Sequence, residues 1–144
     1  MISLCYVSSS NKRFDNDELV NLLHTCHENN GKQNITGLLL YNGQGTFIQA
    51  LEGEEDTVIP LYEKIKTDSR HSRVNCLSKH TIEERNFPNW KMGFRQLDKE
   101  SIGSIQGFST FFEQQDSNRY LSDKPHVAES LLAHFKNKSN ELIF

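Results

Sequence analysis

The chain has 144 residues, a formal net charge of −3 and three cysteines. This length predicts one domain with one sizeable core. The slightly acidic balance gives no electrostatic basis for binding nucleic acid or an anionic membrane. Cys5, Cys26 and Cys76 are an odd number without metal-type spacing, which predicts free thiols in a reducing compartment. We find no signal-peptide pattern and no apolar run of membrane-spanning length, so we expect a cytoplasmic protein without membrane contact.

The first strand and a hairpin are the clearest strand signals. Residues 2–8 alternate, with Ile2, Leu4 and Tyr6 on one face. Residues 34–41, NITGLLLY, form a second strand whose continuous apolar run indicates burial on both faces. The turn sequence NGQG then predicts a hairpin with the third strand, TFIQALE.

The first helix is predicted between these strands. Apolar residues recur from Leu19 to Cys26 at i, i+3, i+4 and i+7, which indicates about four helical turns. Asp15 or Asp17 is expected to cap its start. Gly31 is expected to end it in the left-handed conformation.

The second half of the pattern repeats this order. Residues 58–65 again have helical spacing, and we expect Pro60 to fall near the first turn, where a helix tolerates proline. Residues 74–82, VNCLSKHTI, predict a fourth strand, and residues 90–97, WKMGFRQL, predict a fifth.

This element order predicts an α+β fold of the ferredoxin-like kind, βαββαββ, with a five-stranded mixed sheet. Two helices would cover one face of the sheet. The C-terminal segment offers cover for the other face, with one helix near residues 100–113 and one across residues 127–135. We see no sign of a second core.

Four polar or soft residues lie on elements that otherwise look buried: Tyr6, Asn30, Gln49 and Met92. Each has an ordinary structural explanation except Gln49, because a buried amide needs partners for two donors and an acceptor. A planar heterocycle bound between the sheet and the helices would explain all four together.

Other site chemistries are less well supported. Lys64, Arg70, His71 and Arg73 follow the second helix and can hold an anion, although cations also complement the negative end of a helix. His24 and His27 lack an evident third ligand, so no zinc site is predicted. The cysteines lack an activating context, and no phosphate-binding loop is found.

Several of these segments, in this order, resemble the BLUF family of flavin-based blue-light sensors. They are LCYVS, the NN before NITGLLLY, FIQALEGE, IKTDSRH and FPNWKMGF, and the resemblance spans roughly residues 1–96. It implies a short, stand-alone member that binds FAD, with FMN as a possible substitute. It also implies a flavin-binding domain at residues 1–97 and a helical cap and output segment at residues 98–144.

The resemblance implies a photoactive group beside the flavin. Gln49 would lie between flavin N5/O4 and the Tyr6 hydroxyl, with Met92, and in some conformers Trp90, next to it. We hypothesise that Tyr6 gives an electron and a proton to the excited flavin and takes them back, leaving the Gln49 amide rotated or tautomerised. Because no net chemistry results, this is a switch and not an enzyme.

The resemblance also implies the remaining flavin contacts. Asn30, with Asn29 as a less certain contact, would bind the pyrimidine edge of a ring held between the two helices. Asp68 would order the groups at the ribityl and phosphate end. Those groups are Lys64, Arg70 and His71.

The signal would leave through the fifth strand and the C-terminal helices to a partner protein or a homo-oligomer. Two other functions stay open on the residues alone. One is a small hydrolase of the acylphosphatase type, which the position of the arginines after the second helix disfavours. The other is an interaction module without a cofactor.

Overall fold

The computed structural model describes residues 1–10, 14–97 and 114–136, without the side chains of Asn16 and His27. Within these ranges the chain forms strands β1 (Ile2–Ser10), β2 (Thr36–Tyr41), β3 (Thr46–Gly53), β4 (His71–Thr81) and β5 (Gly93–Gln96), and helices α1 (Asn16–Gln33), α2 (Glu55–Lys66), α3 (Ser117–Asp123) and α4 (Pro125–Lys136).

The strands form one mixed sheet in the order β4-β1-β3-β2-β5. Only β5 runs parallel to its neighbour, β2, while the other neighbouring pairs are antiparallel. Helix α1 connects β1 with β2, and helix α2 connects β3 with β4, as in the ferredoxin-like arrangement. The predicted fold class is therefore confirmed.

Each sheet face has its own apolar layer. Tyr6, Leu39 and Leu51 lie in the layer shared with α1 and α2, which we call the cavity face. Val7, Leu40 and Ile48 lie in the layer shared with α3 and α4, which we call the cap face. Successive strand residues point to opposite faces, so the predicted alternation along β1 and the two-sided burial of β2 are confirmed.

The predicted end of α1 is wrong. The helix continues past Gly31 to Gln33, and Asn34 adopts the left-handed conformation instead, with φ of 54°. Asparagine tolerates this conformation, and the amide of Ile35 bonds back to the Asn30 carbonyl. At the other end, Asp15 is the N-cap and forms a capping box with Glu18.

Two boundaries further along also differ from prediction. Because α2 begins at Glu55, directly after β3, Pro60 lies in the second turn, where its missing N–H removes one helical hydrogen bond. The fifth strand is only Gly93–Gln96, so Trp90 and Met92 precede it. In this preceding segment the Trp90 carbonyl accepts a hydrogen bond from the Gly37 amide at 3.1 Å.

The C-terminal segment covers the cap face. The helix predicted across residues 127–135 is confirmed as α4, and its apolar side is buried. The short helix α3 was missed; its N-cap, Asp116, accepts from the Arg119 amide. The helix predicted near residues 100–113 falls outside the described residues. Within the described ranges, no helix has the length and apolar character needed to span a bilayer.

Candidate functional site

A cavity lies between the cavity face of the sheet and helices α1 and α2. The space between the protein atoms there, open solvent included, is about 920 Å³. Its walls are mostly apolar, with amides at one end and cations at the mouth. The lining residues are Tyr6, Ser8, Phe14, Leu22, Thr25, Cys26, Asn29, Asn30, Leu39, Phe47, Gln49, Leu51, Leu61, Lys64, Ile65, Asp68, Arg70 and His71.

A buried chain of side-chain hydrogen bonds runs along the inner end of the cavity. Tyr6 and Gln49 face each other across the β1–β3 pair, and each is only 4% exposed. The Tyr6 hydroxyl donates to Gln49 Oε1, and Gln49 Nε2 donates to Met92 Sδ at 3.3 Å. These bonds give the buried amide both an acceptor and a donor role, which a buried polar group requires.

Burial fixes the protonation state of Tyr6. Loss of hydration on burial raises the pKa of its hydroxyl well above the ordinary value. The hydroxyl therefore remains protonated at neutral pH and acts as a donor to Gln49.

Asn30 connects the cavity with the segment that precedes β5. It lies near the C-terminal end of α1, is buried and lines the cavity. Its Nδ2 donates to the Lys91 carbonyl at 2.8 Å, so one amide reaches both the cavity and the residue before Met92. Asn29 also lines the cavity but is exposed.

A cation is held in place at the mouth of the cavity. Asp68 accepts hydrogen bonds from the Arg70 amide and guanidinium, the shortest at 2.6 Å. These bonds lower the pKa of Asp68 to about 2 and raise the pKa of Arg70. Asp68 therefore orders Arg70, and Lys64 lines the same mouth.

His71 and Arg73 differ from the other predicted cations. His71 lines the cavity, but its ring nitrogens bond with the Ser8 hydroxyl and the Ile65 carbonyl. Arg73 does not line the cavity and instead pairs with Asp116 at 2.9 Å. The structure thus brings Lys64, Arg70 and His71 together and leaves Arg73 apart.

Trp90 is not beside Gln49. Its side chain packs on the cap face, where its ring stacks on Phe87 with a centroid distance of 5.7 Å and an interplanar angle of 17°. Met92, two residues later, lies on the cavity face. The segment before β5 therefore places one large side chain on each face of the sheet.

Some lining residues had not been predicted as part of a site. Cys26 lies on α1, one turn before Asn29 and Asn30, and burial raises the pKa of its thiol to about 11. Helical spacing from the two asparagines could have identified it. Ser8 could have been found by alternation from Tyr6. Among the described residues, no group of three or more His, Cys, Asp or Glu side chains forms a metal site.

A family model described as "BLUF: Sensors of blue-light using FAD" matches residues 1–93. The chain belongs to the BLUF family. This membership agrees with the Tyr6–Gln49 hydrogen bond on the cavity face and supports neither the hydrolase nor the interaction module.

Curated relatives are much longer proteins. The chain is 32% identical over 146 aligned positions to the photoactivated adenylate cyclase subunit beta-like protein FB of Euglena gracilis, covering 97% of the chain and 16% of the relative. It is 34% identical over 89 residues to photoactivated adenylate cyclase subunit beta of the same organism, covering 62% of the chain and 10% of the relative. The chain therefore spans about a tenth to a sixth of these relatives.

Solved structures of light sensors share the fold. The photo-activated state of BlsA has a TM-score of 0.73 and 28% identity and covers 94% of both chains. A bacterial light-regulated adenylyl cyclase has a TM-score of 0.71 and 36% identity, covering 90% of this chain and 38% of the other. The BLUF fold thus occurs both in a protein of similar length and within a longer enzyme.

Proposed function

We propose that this BLUF protein binds FAD in the cavity and uses it as a blue-light switch whose readout is a protein partner. The Tyr6–Gln49–Met92 hydrogen-bond chain at the inner end of the cavity is the observation that carries the proposal. The family description names FAD, and the donor set fits a flavin. The lining includes amides that can bond to a polar ring edge, apolar side chains that can pack on a ring face, and cations that can bind a phosphate.

The flavin-binding roles follow from these positions. Asn30, and less directly Asn29, would bind the pyrimidine edge, while Leu39 and Ile65 supply apolar walls. Lys64 and Arg70 would hold the ribityl and phosphate end, with Asp68 ordering Arg70. His71 would contact the same end, although its ring nitrogens are occupied by Ser8 and Ile65; its role would be to shape the mouth or to exchange one of those bonds.

Bound flavin supplies the absorption of blue light and an excited state that accepts an electron and a proton. The Tyr6 hydroxyl holds its proton toward Gln49 Oε1. Because burial strongly disfavours the tyrosinate, Tyr6 releases a proton only together with an electron. Both return to Tyr6 within the cycle, so there is no net reaction and the protein acts as a switch rather than an enzyme.

Gln49 supplies two distinguishable states. Its amide has an acceptor end toward Tyr6 and a donor end toward Met92, and exchanging these ends changes what each neighbour receives. Such a local exchange can bias a larger two-state element. The segment that precedes β5 is that element in our proposal, because it carries Met92 on one face and Trp90 on the other.

The output is expected at the cap. We propose residues 1–97 as the flavin-binding unit and residues 98–144 as the segment that contacts an effector protein or a second copy of the chain. Packing of α3 and α4 on the sheet supports a route from β5 to this segment. The free thiols of Cys5, Cys26 and Cys76 support a reducing, cytoplasmic location.

A spectral experiment tests the proposal. The purified chain, incubated with FAD and then separated from free flavin, is expected to be yellow and to show a small red shift under blue light that reverses in darkness. Tyr6→Phe should retain the flavin and lose the red shift, because phenylalanine has no proton to give. A chain that takes up no FAD would refute the binding proposal.

Tyr62→Phe is the matched control. The Tyr62 ring lies 5.6 Å from the Tyr6 ring, centroid to centroid, but Tyr62 is not among the lining residues. It should therefore keep the red shift. A normal red shift in Tyr6→Phe would refute the role given to Tyr6.

A further inference from the structure

A buried carboxylate on the cap face lies outside the proposed photochemistry. Glu52, near the end of β3, is 0% exposed. It is three residues after Gln49 and on the opposite face of the same strand. Charged side chains are rarely buried completely unless they are paired or hydrogen-bonded, so its partners indicate what it does.

Three groups donate hydrogen bonds to the Glu52 carboxylate. The Asn86 amide donates to Oε2 at 2.6 Å, and the Phe87 amide donates to Oε1 at 2.8 Å. The Thr36 hydroxyl also donates to Oε1, at 3.2 Å. Two of the three bonds therefore hold the backbone of the β4–β5 connection, which we define as residues 82–92.

Arg85 reinforces this attachment. Its guanidinium donates to the Thr36 hydroxyl at 2.7 Å, to the Glu52 carbonyl at 3.0 Å and to the Asn34 carbonyl at 2.7 Å. The Thr36 hydroxyl accepts from Arg85 and donates to the Glu52 carboxylate, so it connects the two side chains. The beginning of the β4–β5 connection is thus fixed to the ends of β2 and β3.

The end of the same connection is attached to the cavity. Asn30 bonds to the Lys91 carbonyl and Gln49 bonds to Met92. Phe87, whose amide Glu52 holds, stacks on Trp90 on the cap face. A change at Gln49 can therefore reach Trp90 as a defined displacement only while the other end of the connection stays fixed.

We infer that Glu52 is a positioning residue for signal transmission: it anchors one end of the β4–β5 connection, so that the hydrogen-bond change at Gln49 alters the Phe87–Trp90 pair on the cap face. The inference rests on the proposed photoswitch and adds a residue that contacts neither the cavity nor Gln49. Without this anchor, the β4–β5 connection would adjust to a change at Met92, and the Phe87–Trp90 pair would stay as it was.

The chain contains a single tryptophan, so its fluorescence reports on Trp90 alone. In the wild type, blue light should change both the flavin absorption and the Trp90 emission. In Glu52→Gln, an NH2 group replaces one of the two carboxylate oxygens. Each of those oxygens accepts from a backbone N–H, so one hydrogen bond to the connection is lost. We expect the flavin red shift to remain and the light-dependent change in Trp90 emission to fall by about twofold or more, a typical size for altered coupling.

Glu54→Gln is the matched control, because it makes the same chemical change two residues later on a side chain that is 70% exposed. It should behave as the wild type in both measurements. If Glu52→Gln does not fold, Thr36→Val replaces it; this variant removes one donor to Glu52 and the acceptor of Arg85 while keeping the carboxylate. The same loss of the Trp90 response is expected.

The outcomes separate this inference from the proposed function. A wild type without any red shift refutes the photoswitch itself. A wild type that red-shifts without a change in Trp90 emission refutes the transmission route. An unchanged Trp90 response in the folded Glu52 or Thr36 variant refutes the anchor, as does loss of the red shift together with the Trp90 response, because Glu52 would then act on the flavin site.

Discussion

The two faces of the sheet are built from the same strands and differ in how they are filled. On the cap face, Val7, Ile48 and Ala50 pack against α3 and α4 in an apolar layer. On the cavity face, the alternate residues Tyr6 and Gln49 join a polar chain beside the cavity. Neighbouring positions in one strand therefore serve different purposes.

This difference separates the residues that stabilise the fold from those that we expect to sense light. Close packing stabilises a domain because each buried methylene adds contacts. A cavity gives up such contacts, and a buried polar chain adds little net stability. If the comparison is correct, substitutions on the cap face change stability without changing the spectrum, and substitutions in the Tyr6–Gln49 pair change the spectrum with a smaller effect on stability.

The largest expected effect is on the cap face. Leu131 in α4 is fully buried, so Leu131→Ala should lower the free energy of unfolding by about 3 kcal/mol through lost burial and a residual cavity. The flavin red shift should remain. Urea denaturation and difference absorption test this, with the exposed neighbour variant Ser130→Ala as control. Loss of the red shift in a folded Leu131→Ala protein would contradict the separation of the faces.

A smaller stability effect with a large spectral effect is expected for Gln49→Leu. Leucine keeps the approximate shape but leaves the buried Tyr6 hydroxyl without its acceptor, which should cost roughly 1–2 kcal/mol. The normal red shift should disappear. Ile48→Val, on the cap face of the same strand, should cost about 1 kcal/mol and keep the red shift. If both variants respond to light as the wild type does, Gln49 is an ordinary buried amide.

The smallest effect is expected at the cavity mouth. The hydrogen bonds from Arg70 lower the pKa of Asp68 from 3.8 to about 2. A lowered pKa stabilises the fold above the unfolded-state value, and this contribution disappears as pH falls through the folded-state value. The difference in unfolding free energy between the wild type and Asp68→Asn should thus be constant above about pH 5 and shrink toward pH 2.

Denaturation at a series of pH values measures this difference. A difference for Asp68→Asn that does not change between pH 5 and pH 2 would show that the Arg70 pair does not affect folding.

Local patterns were sufficient for much of this arrangement. Alternation along β1 put Tyr6 on one face, and the NGQG turn fixed the β2–β3 hairpin, so Gln49 was expected on the same face as Phe47 and Leu51. Strand period and turn chemistry operate over a few residues, and sequence alone therefore reveals them.

Features that depend on distant contacts were not predictable. The side of the sheet on which Trp90 lies is decided by Phe87 and the cap. Two of the three partners of the Glu52 carboxylate come from a segment more than thirty residues later. In each case a tertiary contact overrides a weak local preference.

Gly37 limits which sequences can keep this site. A Cβ atom at this position would lie 1.9 Å from the Ala50 carbonyl oxygen and 3.4 Å from the Met92 methyl group, and no rotamer change relieves a clash with backbone. In a saturation library selected for folding and colour, position 37 should accept only glycine. The neighbouring helix position Gly31, where the nearest atoms belong to the flexible Lys91 side chain, should accept many residues.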